Sequence, residues 1–339
     1  MLSRRTELAT TDRKIAVIIP YFQRQPGLLR QCVRSVLDTK GDVDPLIIIV
    51  DDGSPIPAQD EVGDLHDGIS LTIIRQKNSG PAAARNTGLD HVSGGTRFAT
   101  FLDSDDCWVE QFLPDAVWAL QRECELFIGN TRRKGSKPRF SWSKDSSRNI
   151  EPHKHTLINQ KRDIYNFRGD FFDLMVFRSN LVSATAMAYR IDKFPSLRFP
   201  EHLFQGEDRL FKLRLSKRLK SIAFSPKVYA EEGEGVNVLD KSGWQTEGHL
   251  RLTSSYIKMS TMILNEIDLT SRQRGHVCRE LSEFRRAFVA TILHNIRHRK
   301  PLNWGCVRST LRHDPYGAAF ILPNVIRILG KKAIGAKNT

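Results

Sequence analysis

Phe98-Ala-Thr-Phe-Leu-Asp-Ser-Asp-Asp106 is an apolar run of strand length that ends in three carboxylates, Asp103, Asp105 and Asp106. Residues 98–102 are too few for a helix and fit a buried strand. A strand running straight into an acidic loop delivers its carboxylates to the carboxyl edge of a sheet, where open α/β folds bind ligands. Three carboxylates within four residues repel one another, so the cluster is costly unless a cation, a set of donors or solvent relieves it. Hard oxygen ligands of this kind suit Mg²⁺ or Mn²⁺ beside a phosphate-bearing molecule. The plainer reading is a solvated acidic turn capping the next helix, and for Asp-x-Asp alone it is the better one. The neighbouring segments change that balance.

Upstream, Lys14-Ile-Ala-Val-Ile-Ile-Pro20 predicts a buried first strand stopped by proline, with Tyr21 and Phe22 at its carboxyl end. Residues 26–37 then carry apolar pairs at 28/29, 32/33 and 36/37, the spacing of a helix. Residues 46–50 predict a second strand, ending in Asp51-Asp-Gly-Ser54. Residues 71–74 predict a third, followed by Asn78-Ser-Gly-Pro-Ala-Ala-Ala-Arg-Asn-Thr-Gly88. There Ser79 is expected to cap a helix, with Pro81 in its first turn and Gly88 near its end. The strand at 98–102 is the fourth, a helix near 110–122 follows, and residues 125–129 predict a fifth strand. Strands alternating with helices give a mostly parallel sheet covered on both faces. Parallel strands send their carboxyl ends to one edge. Phe22, Asp51, Asp52, the loop opening at Asn78 and Asp103–Asp106 therefore converge, which points to a nucleotide site. The dinucleotide fingerprint Gly-x-Gly-x-x-Gly and the phosphate-binding Gly-x-x-x-x-Gly-Lys-Ser/Thr are both absent, which disfavours a dehydrogenase or a P-loop enzyme.

Composition sets the frame. The 339 residues, 40% hydrophobic and 27% charged, are enough for one large or two modest folded domains and argue against wholesale disorder. The five cysteines are odd in number, scattered, and form no Cys-x-x-Cys pair, so reduced thiols in a cytoplasmic protein are expected. Residues 1–13 lack a signal-peptide core, and no stretch approaches the ~20 apolar residues that span a bilayer. The net charge of +14 is uneven: residues 271–339 hold fourteen Lys or Arg against three acids. Such asymmetry fits a polyanion or membrane-surface partner for the tail, with a solvated basic helix face as the alternative.

Residues 131–168 are basic, polar and aromatic and read as a long mobile loop. Phe204-Gln-Gly-Glu-Asp-Arg-Leu-Phe-Lys-Leu-Arg-Leu215 opens an amphipathic helix on the acidic pair Glu207-Asp208, which complements the helix dipole whatever else it does. Residues 222–230 predict a further strand, and Gly233 to Gly235 a flexible loop. Val277, Leu281, Phe284, Phe288 and Ile292 form one helical stripe. His294 and His298 lie one turn apart without the glutamate of a zinc-protease motif. Residues 318–332 end the chain as an apolar, then basic stretch, the pattern of an interfacial membrane anchor. A helix packed on the catalytic domain or in a homodimer is the alternative.

Val17-Ile-Ile-Pro-Tyr-Phe22, Val50-Asp-Asp-Gly-Ser54, Asn78–Gly88, Leu102-Asp-Ser-Asp-Asp106 and Gly206-Glu-Asp208 together resemble the inverting glycosyltransferase family 2, of GT-A fold. All five pieces occur in the family's order, over residues 15–218. Within it the chain looks most like bacterial exopolysaccharide transferases, the succinoglycan-type enzymes included. The resemblance implies an α/β fold with a Rossmann-like, mostly parallel sheet flanked by helices, and a basic helical extension. The expected domains are residues 1–235, with a nucleotide-binding half at 14–130 and an acceptor half at 131–235, and residues 236–339. It implies a UDP-sugar donor, UDP-glucose foremost, with Phe22 and Asp52 at the uracil, Asp51 beside them and Pro20 shaping the turn. Asn78 and Arg85 fall near the nucleotide, Asp103 at the ribose, and Asp105 with Asp103 at an Mg²⁺ or Mn²⁺ ion. Asp208 falls at the catalytic base, with Glu207 beside it. The acceptor implied is a glycan or lipid-linked oligosaccharide at the cytoplasmic membrane face, with peripheral contact to anionic lipid. Phe22-Gln23 replaces the family's frequent Tyr-Asn, and the processive members' Gln-x-x-Arg-Trp is absent, which favours single addition. Two other classes remain. A sugar-nucleotide nucleotidyltransferase would need a glycine-rich basic loop after the first strand, and residues 20–27 offer little of one. A nucleic-acid-binding protein is supported by charge alone, and no nucleic-acid partner is expected.

Overall fold

Strand β1 (Lys14–Tyr21) is buried on both faces, as a central parallel strand must be. The structure, a computed structural model, describes residues 13–65, 69–142, 148–233, 243, 246 and 248–319. β2 (Asp44–Asp51) lies parallel to β1 in register from Lys14↔Asp44 to Tyr21↔Asp51. β3 (Leu71–Arg75) runs parallel to β2, and β4 (Phe98–Phe101) parallel to the other side of β1. The order β3-β2-β1-β4 changes direction of growth between β1 and β4. That reversal is the topological switch point at which open α/β sheets leave a crevice.

Gly88 lies near the end of the helix Pro81–Asp90, two residues before its last. A Cβ there would stand 2.4 Å from Ile18 Cγ2, so this glycine allows the helix to lie close on β1. Ser79 is not the cap of that helix. Gly80, at φ 91, occupies the cap position with no side-chain bond, for a reason found in the site below.

The second half of the sheet is mixed where the alternation predicts mostly parallel strands. β9 (Met187–Arg190) inserts antiparallel between β4 and β6 (Leu126–Arg133). β10 (Ile222–Glu232) is parallel to β6, and β8 (Ile164–Asn166) and β7 (Thr156–Asn159) complete that edge antiparallel. β5 (Cys107–Trp108) pairs antiparallel with Ala230 and Glu231. Apolar periodicity reports burial and says nothing of strand direction, so the direction was illegible.

The mobile loop expected at 131–168 is also overturned over its described residues, which include 3-10 turns at Arg139–Ser141 and Pro152–Lys154 besides β7 and β8. Asn130 Oδ1 accepts the backbone N–H of Thr131 and of Phe140, whose ring is buried. Arg139 and Arg133 pair with Glu232 on β10. Order here comes from distant partners that a polar composition conceals.

Two compact units emerge: residues 1–201 with 211–236, and residues 202–210 with 237–339. The first has its core between the sheet and its helices, with Val17, Ile49, Phe98, Phe112 and Phe127 at its centre. The second packs the helices Gly248–Glu266, Ser271–Arg297 and Trp304–His313 through Leu250, Ile257, Leu281, Phe288 and Val307. Thr270 and Gln273 form a capping box at the start of the long helix. No described helix is long and apolar enough to cross a membrane. The expected anchor at 318–332 lies almost wholly outside the described residues, and the glycine loop does so beyond Gly233.

Candidate active site at the sheet edge

The carboxyl ends of β1, β2 and β4 meet through hydrogen bonds that tie each loop to its neighbour. Asp52 N–H donates to Tyr21 O at 2.9 Å, Gln76 N–H to Asp51 O at 2.9 Å, and Leu102 N–H to Ile18 O at 3.0 Å. Asp51, fully buried, accepts from the backbone N–H of Ser54 at 2.7 Å and of Ala58 at 3.0 Å, and from Arg75 at 2.9 Å. Its charge is spent on shaping the turn after β2. Asp52 accepts from Ser79 N–H and Gln76 Nε2 on one oxygen and from Gly80 N–H on the other, each at 2.8 Å. A carboxylate from β2 thus satisfies the amides at the start of helix Pro81–Asp90, which is why Ser79 is not needed as a cap.

Arg85, on that helix, is buried and reaches Asp103 Oδ1 with Nη2 at 2.7 Å, while its guanidinium lies 5.3 Å from the Phe199 ring centre. Phe199 is itself fixed: its ring stacks on Phe211 at 4.0 Å, and its N–H donates to the buried Asn86 at 2.8 Å. The Asp103 carboxylate is oriented yet remains 41% exposed. This places one acid at the switch point, aimed and accessible.

Asp106 is buried and points inward instead. It accepts from Thr185 Oγ1 at 2.6 Å and from Gly233 N–H at 2.8 Å. Burial first, and then the Asp103 charge, push its carboxyl up to about 8. A Cβ on Gly233 would stand 1.8 Å from the Asp105 carbonyl oxygen, so only glycine permits this approach. Beneath the loop, the buried Cys32 lies with Sγ 3.6 Å from Asp103 O, and burial holds its thiol well above the usual range. Asp105 is half-buried on the same loop. The three acids therefore differ in duty, with Asp106 as the internal latch.

Phe22 and Pro20 sit half-buried at the end of β1, and Asn78 is exposed, its backbone against Gly53. Gln23 was noted in the sequence only as a departure, yet it is buried and bridges three loops. Its N–H donates to Ser54 Oγ at 3.0 Å and its Nε2 to Ser104 Oγ at 3.1 Å. Thr185 carried no local signal, and Gly233 was legible only as the start of a flexible loop, not as a partner of Asp106. Glu207 and Asp208 open the helix Glu207–Ser216 and group with the second unit. There they raise the Tyr256 hydroxyl together with its burial, which is the larger effect. Gly206, at φ 90, precedes them, and a Cβ there would meet Met259 Sδ at 2.5 Å.

Residues 16–184 match the family model described as glycosyl transferase family 2. The chain belongs to this family. Among curated relatives it is 42% identical over 111 residues to succinoglycan biosynthesis protein ExoW of Rhizobium meliloti, covering 32% of this chain and 34% of ExoW. It is 24% identical over 272 residues to minor teichoic acid biosynthesis protein GgaA of Bacillus subtilis, covering 75% of this chain and 55% of that one. The matches thus span about a third to about half of these relatives' own lengths. Among solved structures, S. aureus TarS (residues 1–349) superposes with a TM-score of 0.53 at 19% identity, over 82% of this chain and 72% of that one. A mannosyltransferase of Pyrobaculum calidifontis, solved with GDP-Man and Mn²⁺, superposes at 0.50 and 13% identity, over 94% and 88%. These likenesses establish a GT-A-type glycosyltransferase fold for the family 2 chain.

Among the described residues no group of three or more His, Cys, Asp or Glu is placed to hold a metal. Asp103 and Asp105 are two hard oxygen donors at a partly open edge. Mg²⁺-type ions are commonly held by one or two carboxylates with substrate phosphates and water completing the shell. The donor set therefore fits an ion shared with a diphosphate, and does not fit an all-protein cage.

Proposed function

We propose that this family 2 chain transfers a sugar from a UDP-sugar, UDP-glucose foremost, to a hydroxyl of a glycan or lipid-linked oligosaccharide, with inversion, in cell-surface polysaccharide assembly. The observation that supports the reading is the Arg85–Asp103 pair beside the switch point, on the same sheet edge to which β1, β2 and β4 deliver Phe22, Asp52 and Asp105.

Phe22 offers a face for the base at the end of β1. Asp52 fixes the Ser79–Gly80 backbone at the start of the following helix, and Arg85 sets the Asp103 carboxylate for a ribose hydroxyl. Asp105, with Asp103, would hold Mg²⁺ or Mn²⁺, which supplies charge stabilisation to the departing diphosphate. Asp208 takes the proton of the acceptor hydroxyl, whose oxygen forms its bond to the anomeric carbon as the bond to UDP breaks. A single displacement from the opposite face turns an α-linked donor into a β-glycoside. Glu207 lies beside Asp208 in the first turn of its helix.

Calorimetric titration with UDP, GDP, ADP and NAD, each with and without Mn²⁺, tests the reading. Tight Mn²⁺-dependent binding of UDP alone supports it. GDP binding in place of UDP keeps the site and changes the donor, and no nucleotide binding sinks the transferase reading. Pyrophosphate release from UTP and a sugar phosphate would identify a nucleotidyltransferase instead.

A further inference from the structure

Helix Ser271–Arg297 does not end on glycine. Its last turn closes with Lys300 N–H donating to Asn295 O at 2.9 Å and Arg299 N–H to Ile296 O at 3.2 Å. That is the paired bond pattern of a Schellman ending, with Arg299 at φ 51 where glycine is usual. Leu302 then packs against the core of the second unit, and Asn303 caps the next helix, its Oδ1 accepting from Cys306 N–H at 2.9 Å. The turn between the helices is thus fixed at both ends.

What this turn presents is unusual. Ile296 is 57% exposed and Trp304 65% exposed, two large apolar side chains flanking Arg297-His298-Arg299-Lys300, all exposed. Arg308 and Arg312 are exposed on the following helix, and Tyr316 stands 78% exposed just beyond it. No acidic residue occurs between 284 and 313, and Asp314 is already paired with Arg285. The sequence after residue 319 continues apolar and then basic, with Phe320-Ile-Leu322 and Lys331-Lys332.

We infer that the turn 296–304 is a docking element for a bilayer surface containing anionic lipid. Charge attracts it: a Lys or Arg near such a surface contributes about 1 kcal/mol. Trp and Tyr favour the boundary between headgroups and acyl chains, where one part of the ring is dry and another wet. Duplex nucleic acid, whose bases are already stacked on one another, would meet the same charge but leave Ile296 and Trp304 without apolar partners, so the exposed apolar pair favours lipid. The inference stands on the second unit alone and does not depend on the nucleotide reading.

The test is sedimentation of the full chain with phosphatidylcholine vesicles, with and without a third of phosphatidylglycerol. Partitioning is expected onto the anionic vesicles only, falling with salt. Arg299→Gly keeps the left-handed position free of strain and removes one charge. Combined with Arg297→Gln and Lys300→Gln it is expected to cut partitioning by about 100-fold, at about fivefold per charge. Ile296→Ser with Trp304→Ser is expected to cut it by about tenfold while leaving the salt dependence. Thermal melting verifies that each variant is folded. Equal partitioning of the triple variant and the parent, equal binding to neutral vesicles, or tighter binding to duplex DNA than to vesicles would each overturn the inference. UDP titration on the same preparations separates that result from a failure of the nucleotide site.

Discussion

Replacing Gly233 by alanine puts a methyl group where none fits. Its Cβ would lie 1.8 Å from the Asp105 carbonyl oxygen and 2.7 Å from the carbonyl carbon. A comfortable carbon–oxygen approach is about 3.3 Å, so one backbone must retreat by roughly 1.5 Å. β10 is pinned at this point, with Glu231 paired to Cys107 on β5 and Glu232 to Arg133 on β6. The acidic loop is the softer side and is expected to move. The bond from Gly233 N–H to Asp106 is then lost, at a cost of about 2 kcal/mol for an amide left facing a buried carboxyl. For a unit of this size that corresponds to a fall of about 4–8 °C in Tm. The site should suffer more. Metal sites tolerate displacements of about 0.2 Å, and disturbing a supporting residue typically costs about 10–100-fold in metal affinity. Gly233→Ala is therefore expected to lose at least about tenfold in Mn²⁺-dependent UDP affinity, while metal-free UDP affinity changes little. Calorimetry with and without Mn²⁺ measures both, and melting measures the fold. If the variant binds UDP with Mn²⁺ as tightly as the parent, the loop is not positioned through this contact and the argument fails.

Three further outcomes follow from the same geometry. Asp208→Asn is expected to abolish sugar transfer yet leave UDP binding nearly unchanged; loss of UDP binding would remove Asp208 from the role of base. Asp105→Ala should weaken UDP binding in the presence of Mn²⁺ and leave the metal-free value alone, and normal affinity with Mn²⁺ would count against ligation. His249, whose Nδ1 lies 2.7 Å from Thr291 Oγ1, is held below the usual imidazole range by burial. The unfolded chain then binds the proton more readily, so the helical unit gains stability as pH rises towards about 6.5 and loses it as pH falls below that. Melting of the parent against His249→Gln at about pH 5 and about pH 7.5 should show a larger acid loss in the parent; parallel curves would refute it.

Much of the sheet was legible because each of the first four strands is a local apolar run that stops at a polar group. Parallel alternation then sends those stops to one edge, which is how Phe22, Asp52 and Asp103 were brought together before any coordinates. The helix Leu28–Leu37 and the stripe through Val277, Leu281 and Phe288 were legible for the same reason: period reports burial. The departures all involve partners distant in sequence. β9 fills the gap beside β4 in the opposite direction, and Arg139 orders a polar segment by reaching Glu232.

By itself, the sequence determined the six strands β1 to β4, β6 and β10, which edge carries the acids and which residue types lie along it, since local burial and chain direction suffice for that. Only the tertiary structure decided that Asp106 is a latch and not a ligand, because Thr185 lies 79 residues away and Gly233 127 residues away. It also decided that Asp52, not Ser79, satisfies the helix at Pro81, and that residues 202–210 group with the second unit. Duties of that kind depend on which donors reach which carboxylates. That is fixed by the packing of remote segments and leaves no period in the chain.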